Sequence, residues 1–226
     1  MSFLQDLQDL QDNKMTEPTI IAHHINQPIC PSDFENEIWR QCQPVQIEHY
    51  WSGEPAMSSR HAEARVCWSD EALHVRFVGK QQEPLIVSEN PVTNTKTLGL
   101  WDRDVCEIFL APDPAAPWRY FEFEAAPTGE WIDLGITVKP DGRETDWNFA
   151  SGFTTAAKLE GERLVVGMRI PWSEALPKPS AGDIWRTNVF RCVGPEAPER
   201  YLAWLPTRTP EPNFHVPAVF GVLQFG

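Results

Sequence analysis

The strongest constraint on this chain is a series of short apolar-alternating runs, each closed by turn residues. Leu73, Val75 and Phe77 alternate with His74 and Arg76, and Arg119, Phe121 and Phe123 alternate with Tyr120, Glu122 and Glu124. Successive side chains of a strand point to opposite faces, so this period is that of half-buried β-strands. Runs of the same kind span Thr19–His23, Ala64–Ser69, Val105–Leu110, Trp131–Val138, Gly152–Leu159, Arg163–Ile170, Trp185–Val193, Arg200–Trp204 and Val219–Phe225. Asp70-Glu71, Gly129, Asp141-Gly142 and Glu160-Gly161-Glu162 sit at the reversals between them. Many short strands with little helical periodicity predict an all-β chain folded as a single antiparallel β-sandwich of immunoglobulin-like or jelly-roll type. Ser32 ahead of Asp33-Phe34-Glu35 reads as the cap of one short helix leading to Ile38-Trp39.

No composition shift divides the chain. Residues 19–226 are expected to form one sandwich domain, and residues 1–18 a disordered or marginally helical tail. That tail carries the triplets Leu4-Gln5-Asp6, Leu7-Gln8-Asp9 and Leu10-Gln11-Asp12, with neither a basic start nor a continuous apolar block. It is therefore not read as a signal peptide or a membrane span, and the sequence by itself points to the cytoplasm. Five cysteines are widely spaced without a Cys-x-x-Cys pair, and they are expected to be buried free thiols. With 19 basic against 32 acidic residues the formal charge is −13. No basic cluster exists to replace the counterions of a nucleic acid or an anionic membrane, so neither is an expected partner. Neutral polyols and cations remain as ligands.

Ten tryptophans exceed what a core of this size ordinarily needs, so one to three of them are expected at a binding surface. Trp101-Asp102-Arg103-Asp104-Val105-Cys106-Glu107-Ile108-Phe109 places one such ring immediately before a strand. In that strand Val105, Glu107 and Phe109 share one face, and Asp104, Cys106, Ile108 and Leu110 share the other. A carboxyl at Glu107 must find a partner if it is buried.

The pattern Trp-x-x-Asp-x-x-Glu-Ile-Phe resembles the central motif of the family 9 carbohydrate-binding modules, which are β-sandwiches of the DOMON-like type. Trp172 after Ile170-Pro171, Asn188-x-x-Arg191, and the ending Phe214-His215-x-Pro217-x-x-Phe220-Gly221-x-Leu223-x-Phe225 follow in matching order. The resemblance implies a non-catalytic module that binds a mono-, oligo- or polysaccharide, linked to carbohydrate catabolism and commonly extracellular. It implies two aromatic rings sandwiching a terminal sugar, at Trp101 and Phe214. Asp104, Glu107, Glu122 and Arg191 complete the candidate set. Glu122 stands where a sugar-binding member carries a basic residue, which leaves the hydrogen-bond pattern open. Asn188 and Arg191, three apart in a strand, face opposite sides of the sheet and cannot both line one site.

Three other readings bear on the same residues. Asp102, Asp104 and Glu107 could serve a glycoside hydrolase acting on O-glycosyl bonds, since that chemistry needs two carboxylates. A haem-carrying electron-transfer domain of DOMON type would need a Met and His pair, drawn from Met57, Met168, His61, His74 and His215. No cofactor is required by the leading reading. Related modules hold structural calcium, but no Asp-x-Asp-x-Asp-Gly loop occurs here to bind it.

Overall fold

A computed structural model describes residues 17–195 and 197–226; the leucine triplets lie outside the described residues. The strands are β1 (Thr19–His24), β2 (Val45–Ile47), β3 (His49–Tyr50), β4 (Ala62–Trp68), β5 (Ala72–Lys80), β6 (Val105–Ala111), β7 (Arg119–Ala125), β8 (Trp131–Lys139), β9 (Gly142–Asp146), β10 (Thr154–Glu160), β11 (Arg163–Pro171), β12 (Ile184–Cys192), β13 (Tyr201–Ala203) and β14 (Gly221–Phe225). Helical structure among the described residues is confined to short 3₁₀ turns, and no helix there is long and apolar enough to cross a membrane.

Two layers result. The back sheet runs β10-β11-β5-β4-β1, and the front sheet runs β1-β14-β12-β6-β7-β8-β9. β1 belongs to both. Its first half lies parallel to β14, with Thr19 opposite Val222, and its second half lies parallel to β4, with His23 opposite Cys67. The sandwich is antiparallel as expected, with this one strand as the exception. Residues 25–61 separate β1 from β4, a connection long enough to return the chain in the parallel sense. Every other strand pairing is antiparallel.

The period-2 reading of the apolar runs holds where the core is built. Val66, Leu73, Val75, Phe77, Val166 and Met168 of the back sheet join Ile108, Leu110, Phe123 and Val189 of the front sheet in one buried cluster. Each large side chain removed from water there contributes about 1.5–3 kcal/mol. One short strand has no such signal: β9 reads Gly-Arg-Glu-Thr-Asp and is held on β8 by backbone pairing, from Gly142↔Lys139 to Asp146↔Gly135, and by the Lys139–Glu144 ion pair. The predicted helix is a single 3₁₀ turn, Glu37–Arg40, and its cap is Asn36, whose side chain accepts from the Ile38 N–H at 3.1 Å. Trp39, Ile25, Ile29, Cys42 and Cys67 form a second, smaller cluster beside it. All five cysteines are free, four of them buried and Cys30 exposed.

Gly79 shows how a position without a side chain serves the sandwich. A Cβ built there would lie 2.5 Å from Nη1 of Arg191. Arg191 is buried, donates to the backbone carbonyls of Arg60 and His61 at 3.0 and 3.2 Å, and donates to Gln81 Oε1 at 2.7 Å. Its guanidinium therefore fills the space that Gly79 leaves and ties β12 to the far sheet.

Candidate functional site

The pleat decides which side chains leave the core. Register pairs Glu107 with Glu124 and with Phe190, and Phe109 with Glu122 and with Asn188. β8 continues this face with Leu134 opposite Glu122 and Ile136 opposite Tyr120, and β9 adds Thr145 opposite Ile136. These side chains point away from Ile108, Leu110 and Phe123 of the core. On this face lies a pocket of about 200 Å³ whose lining includes Glu107, Glu122, Glu124, Leu134, Ile136, Trp101, Trp147, Tyr201 and Phe214.

Trp101 reaches the rim by a local device. Gly99 adopts φ +75°, where a side chain would be strained, and starts a turn whose next residue, Leu100, is completely buried. Arg103 N–H closes that turn onto Leu100 O at 2.9 Å, and Arg200 Nη1 holds Asp102 O at 2.8 Å. With Leu100 anchored inward, Trp101 is turned outward and is 37% exposed. Trp147, just after β9, stands beside it with ring centroids 6.3 Å apart at 45°. The opposite wall comes from the segment before β14. Phe214 stacks on Phe190 at 4.1 Å, and His215 stacks on Phe109 at 5.3 Å while sharing a 2.7 Å hydrogen bond with the Tyr120 hydroxyl.

The floor is acidic. One oxygen from each of Glu107, Glu122 and Glu124 lies within 4.8 Å of the other two. Cys192 Sγ donates to Glu107 Oε1 at 3.4 Å. Glu124 is wholly buried, and neither of its oxygens meets an N–H or hydroxyl donor; a proton shared with Glu122 is its one link. Burial, followed by repulsion from Glu122, pushes Glu107 up to about 8. Burial raises Glu122 as well. Glu124 rises well above the ordinary carboxylate range, through burial and then the charges of Glu107 and Glu122. His215 is pushed down to about 3 by burial and then by the positive charge of Arg143, so it is a neutral ring. The buried partner that Glu107 required is thus a thiol, and its nearest ionisable neighbours are two more carboxyls.

Of the six candidate residues, Trp101, Phe214, Glu107 and Glu122 meet around this pocket, and Asp104 and Arg191 are not among its walls. Asp104 precedes β6 on the opposite parity, and it accepts from Gly194 N at 3.0 Å, Ile86 N at 3.3 Å and Gln81 Nε2 at 3.3 Å. Burial raises its carboxyl, against those backbone N–H groups. Arg191, also on the inner face, is spent on Gln81 and two carbonyls as described. Both act in the sandwich's end, binding connections to strands. Asn188 is likewise structural, with its amide donating to Leu205 O at 2.8 Å and its Oδ1 accepting from Leu205 N at 3.1 Å.

Sequence reasoning passed over Trp147, Tyr201 and Glu124 as site residues. Glu124 carried a signal, because it shares a face with Glu122 in the alternation of β7. Trp147 lay in a polar stretch, Thr145-Asp146-Trp147-Asn148, where an exposed ring has no packing reason to be. Nothing local marked Tyr201.

The sequence profile of the carbohydrate family 9 binding domain-like family matches residues 33–225. The chain belongs to this family. Among solved structures, a candidate carbohydrate-binding protein from Bacteroides uniformis is similar over 93% of this chain and 100% of its own, with TM-score 0.71 and 17% identity. A family 9 module from Caldicellulosiruptor kristjanssonii in complex with glucose is similar over 92% of this chain and 96% of its own, with TM-score 0.64 and 19% identity. The same kind of module from that organism, in complex with cellotriose, gives TM-score 0.61 and 20% identity over 92% and 93%. These likenesses establish a shared sandwich. No curated protein sequence matches the chain. Membership of family 9 accounts for the ordered motifs.

Proposed function

We propose that this chain is a non-catalytic sugar-binding module and that its ligand enters the pocket between the Trp101–Trp147 pair and Phe214. A pyranose has one face of C–H groups and a rim of hydroxyls. The apolar face suits an exposed indole, and the hydroxyls suit the carboxyls below. The observation that carries this reading is the half-exposed Trp101 held over a family 9 pocket by the buried Leu100 anchor. The bound sugars named for the two Caldicellulosiruptor modules support the same class of ligand.

The carboxyls suit binding better than hydrolysis. Glycosidases place two carboxyls on either side of the scissile bond. Here the acidic lining residues are Glu107, Glu122 and Glu124, gathered on one floor. Asp104 of the alternative catalytic set is held away from the pocket.

Titration with glucose, xylose and cello-oligosaccharides, followed by tryptophan fluorescence, tests the proposal. Saturable quenching or enhancement at micromolar to millimolar sugar is expected, in the range of roughly 4–8 kcal/mol typical of such affinities. No response to any mono- or oligosaccharide at millimolar concentration would overturn it.

A further inference from the structure

The acidic floor has no cation in direct contact, although Arg143 lines the same pocket and its charge acts on Glu122 from beyond ion-pair distance. Among the described residues, no lysine or arginine nitrogen comes within salt-bridge distance of Glu107, Glu122 or Glu124, and the closest basic atom is His215 Nδ1, 3.9 Å from Glu122 Oε2. Both oxygens of Glu124 and Oε2 of Glu122 are buried without a donor from any other described residue, and only a proton shared between Glu122 and Glu124 links them. Native proteins rarely leave buried acceptors in that state unless something completes them. Burial and crowding raise the proton affinity of these carboxyls, so a cation that settles on them takes the place of a proton, and because the carboxylate left behind only accepts, that cation must bring the donors.

We propose that the pocket takes a sugar bearing a protonated amine, whose ammonium group sits on Glu107, Glu122 and Glu124. This rests on the sugar-binding reading above and narrows its ligand class to amino sugars. An ammonium carries three N–H donors in a compact group. Three carboxyls, each offering an oxygen within 4.8 Å of the others, match that number and size. The surrounding surface suits the same ligand. Trp101, Trp147 and Phe214 present ring faces, which attract a cation as well as the C–H face of a pyranose. A hard divalent ion fits less well, since calcium takes about six to eight oxygen ligands. Beyond the three carboxyls the pocket adds a thiol, Cys192, the hydrocarbon of Leu134 and Ile136, the cation Arg143 and only a few neutral oxygens, from Thr145, Tyr201 and Asn213.

The test is calorimetric titration of the unaltered chain with glucosamine, glucose and N-acetylglucosamine, with a chelator present, at roughly pH 6 where an amine is protonated. Glucosamine is expected to bind at least about tenfold more tightly than either neutral sugar, a difference near 1.4 kcal/mol. That preference is expected to shrink with added salt, and to be lost in Glu124→Gln. Glu122→Gln serves as a second variant should the first fail to fold. If glucose binds and glucosamine gains nothing, the inference fails while the sugar-binding reading stands. If no sugar binds, both fail. A parallel titration with calcium and manganese chlorides, chelator omitted, completes it: metal binding that Glu124→Gln abolishes, or sugar binding that needs the metal, would overturn the inference by making the floor a metal site. A preference for glucosamine that survives in both glutamine variants would also overturn it.

Discussion

Glu107 on β6 and Glu124 on β7 are direct cross-strand partners on the outer face of the front sheet. Like-charged pairs in that position destabilise a sheet, and Glu122 on the same face adds a third carboxyl. The structure tolerates the arrangement because burial and mutual repulsion keep protons on the group, with Glu107 raised to about 8 and Glu124 raised further from its ordinary value. The pocket floor is thus fixed by β-sheet register and carries a protonation state set by its own crowding.

Stability is expected to fall as pH rises across the neutral range. The folded-state pKa of Glu107 is raised from 4.5 to about 8. Between those values the native state holds a proton that the unfolded state has lost. The stabilising contribution is therefore fully present below pH 4.5 and is lost progressively as pH rises to about 8, at a slope of up to about 1.4 kcal/mol per pH unit for each such group. Glu124, raised in the same direction, adds to it. Melting temperatures measured from pH 5 to 9 check this, and Glu124→Gln is expected to flatten the curve. A melting temperature that rises over that interval would contradict the assignment.

Trp101→Ala is expected to weaken sugar binding more than tenfold while leaving the fold nearly intact. The ring is 37% exposed, so its removal opens no closed cavity. Loss of one stacked face amounts to about 1.5–3 kcal/mol if it resembles burial of a large apolar group. Sugar titrations beside a denaturant melt separate the two effects. Undiminished binding by the variant would place the ligand elsewhere on the sandwich.

Phe214→Ala is expected to cost folding stability as well as affinity. Phe214 is only 9% exposed, lies on Phe190 at 4.1 Å and meets Tyr201 edge-on at 5.9 Å. One face of the ring is thus already covered by protein. A large-to-small change at such a position costs about 3–5 kcal/mol. Urea unfolding of Phe214→Ala beside Trp101→Ala is expected to show the larger loss in the former.

Gly79→Ala is expected to destabilise the chain although alanine suits a strand better than glycine. The added methyl would meet the buried Arg191 guanidinium at 2.5 Å, and overpacking of this kind costs about 1–3 kcal/mol. A thermal melt measures it. Combining it with Arg191→Met is expected to give less than the sum of the two single losses, because both changes concern one space.

The sequence by itself determined the layered all-β fold, because period-2 alternation in Leu73–Phe77 or Arg119–Glu124 leaves a strand only one way to bury its apolar side. The resemblance in the motif Trp-x-x-Asp-x-x-Glu-Ile-Phe also marked Trp101 and Glu107 as site candidates, and Glu122 followed from the position where a family member carries a basic residue. Parity likewise set Asp104 on the opposite face from Glu107, although whether that face held ligand or core was not legible, and the face of Arg191 relative to Glu107 came only from the register of β12 against β6. Tertiary structure decided the rest. It laid β1 parallel between two sheets, since strand sense depends on the path of residues 25–61 and leaves no local mark. It brought Trp147 beside Trp101 and Phe214 onto Phe190, contacts between residues far apart in the chain. Above all, it set Glu124 opposite Glu107. Register between two strands depends on the turn and on both faces packing at once, and only that register turns three separate glutamates into one acidic floor.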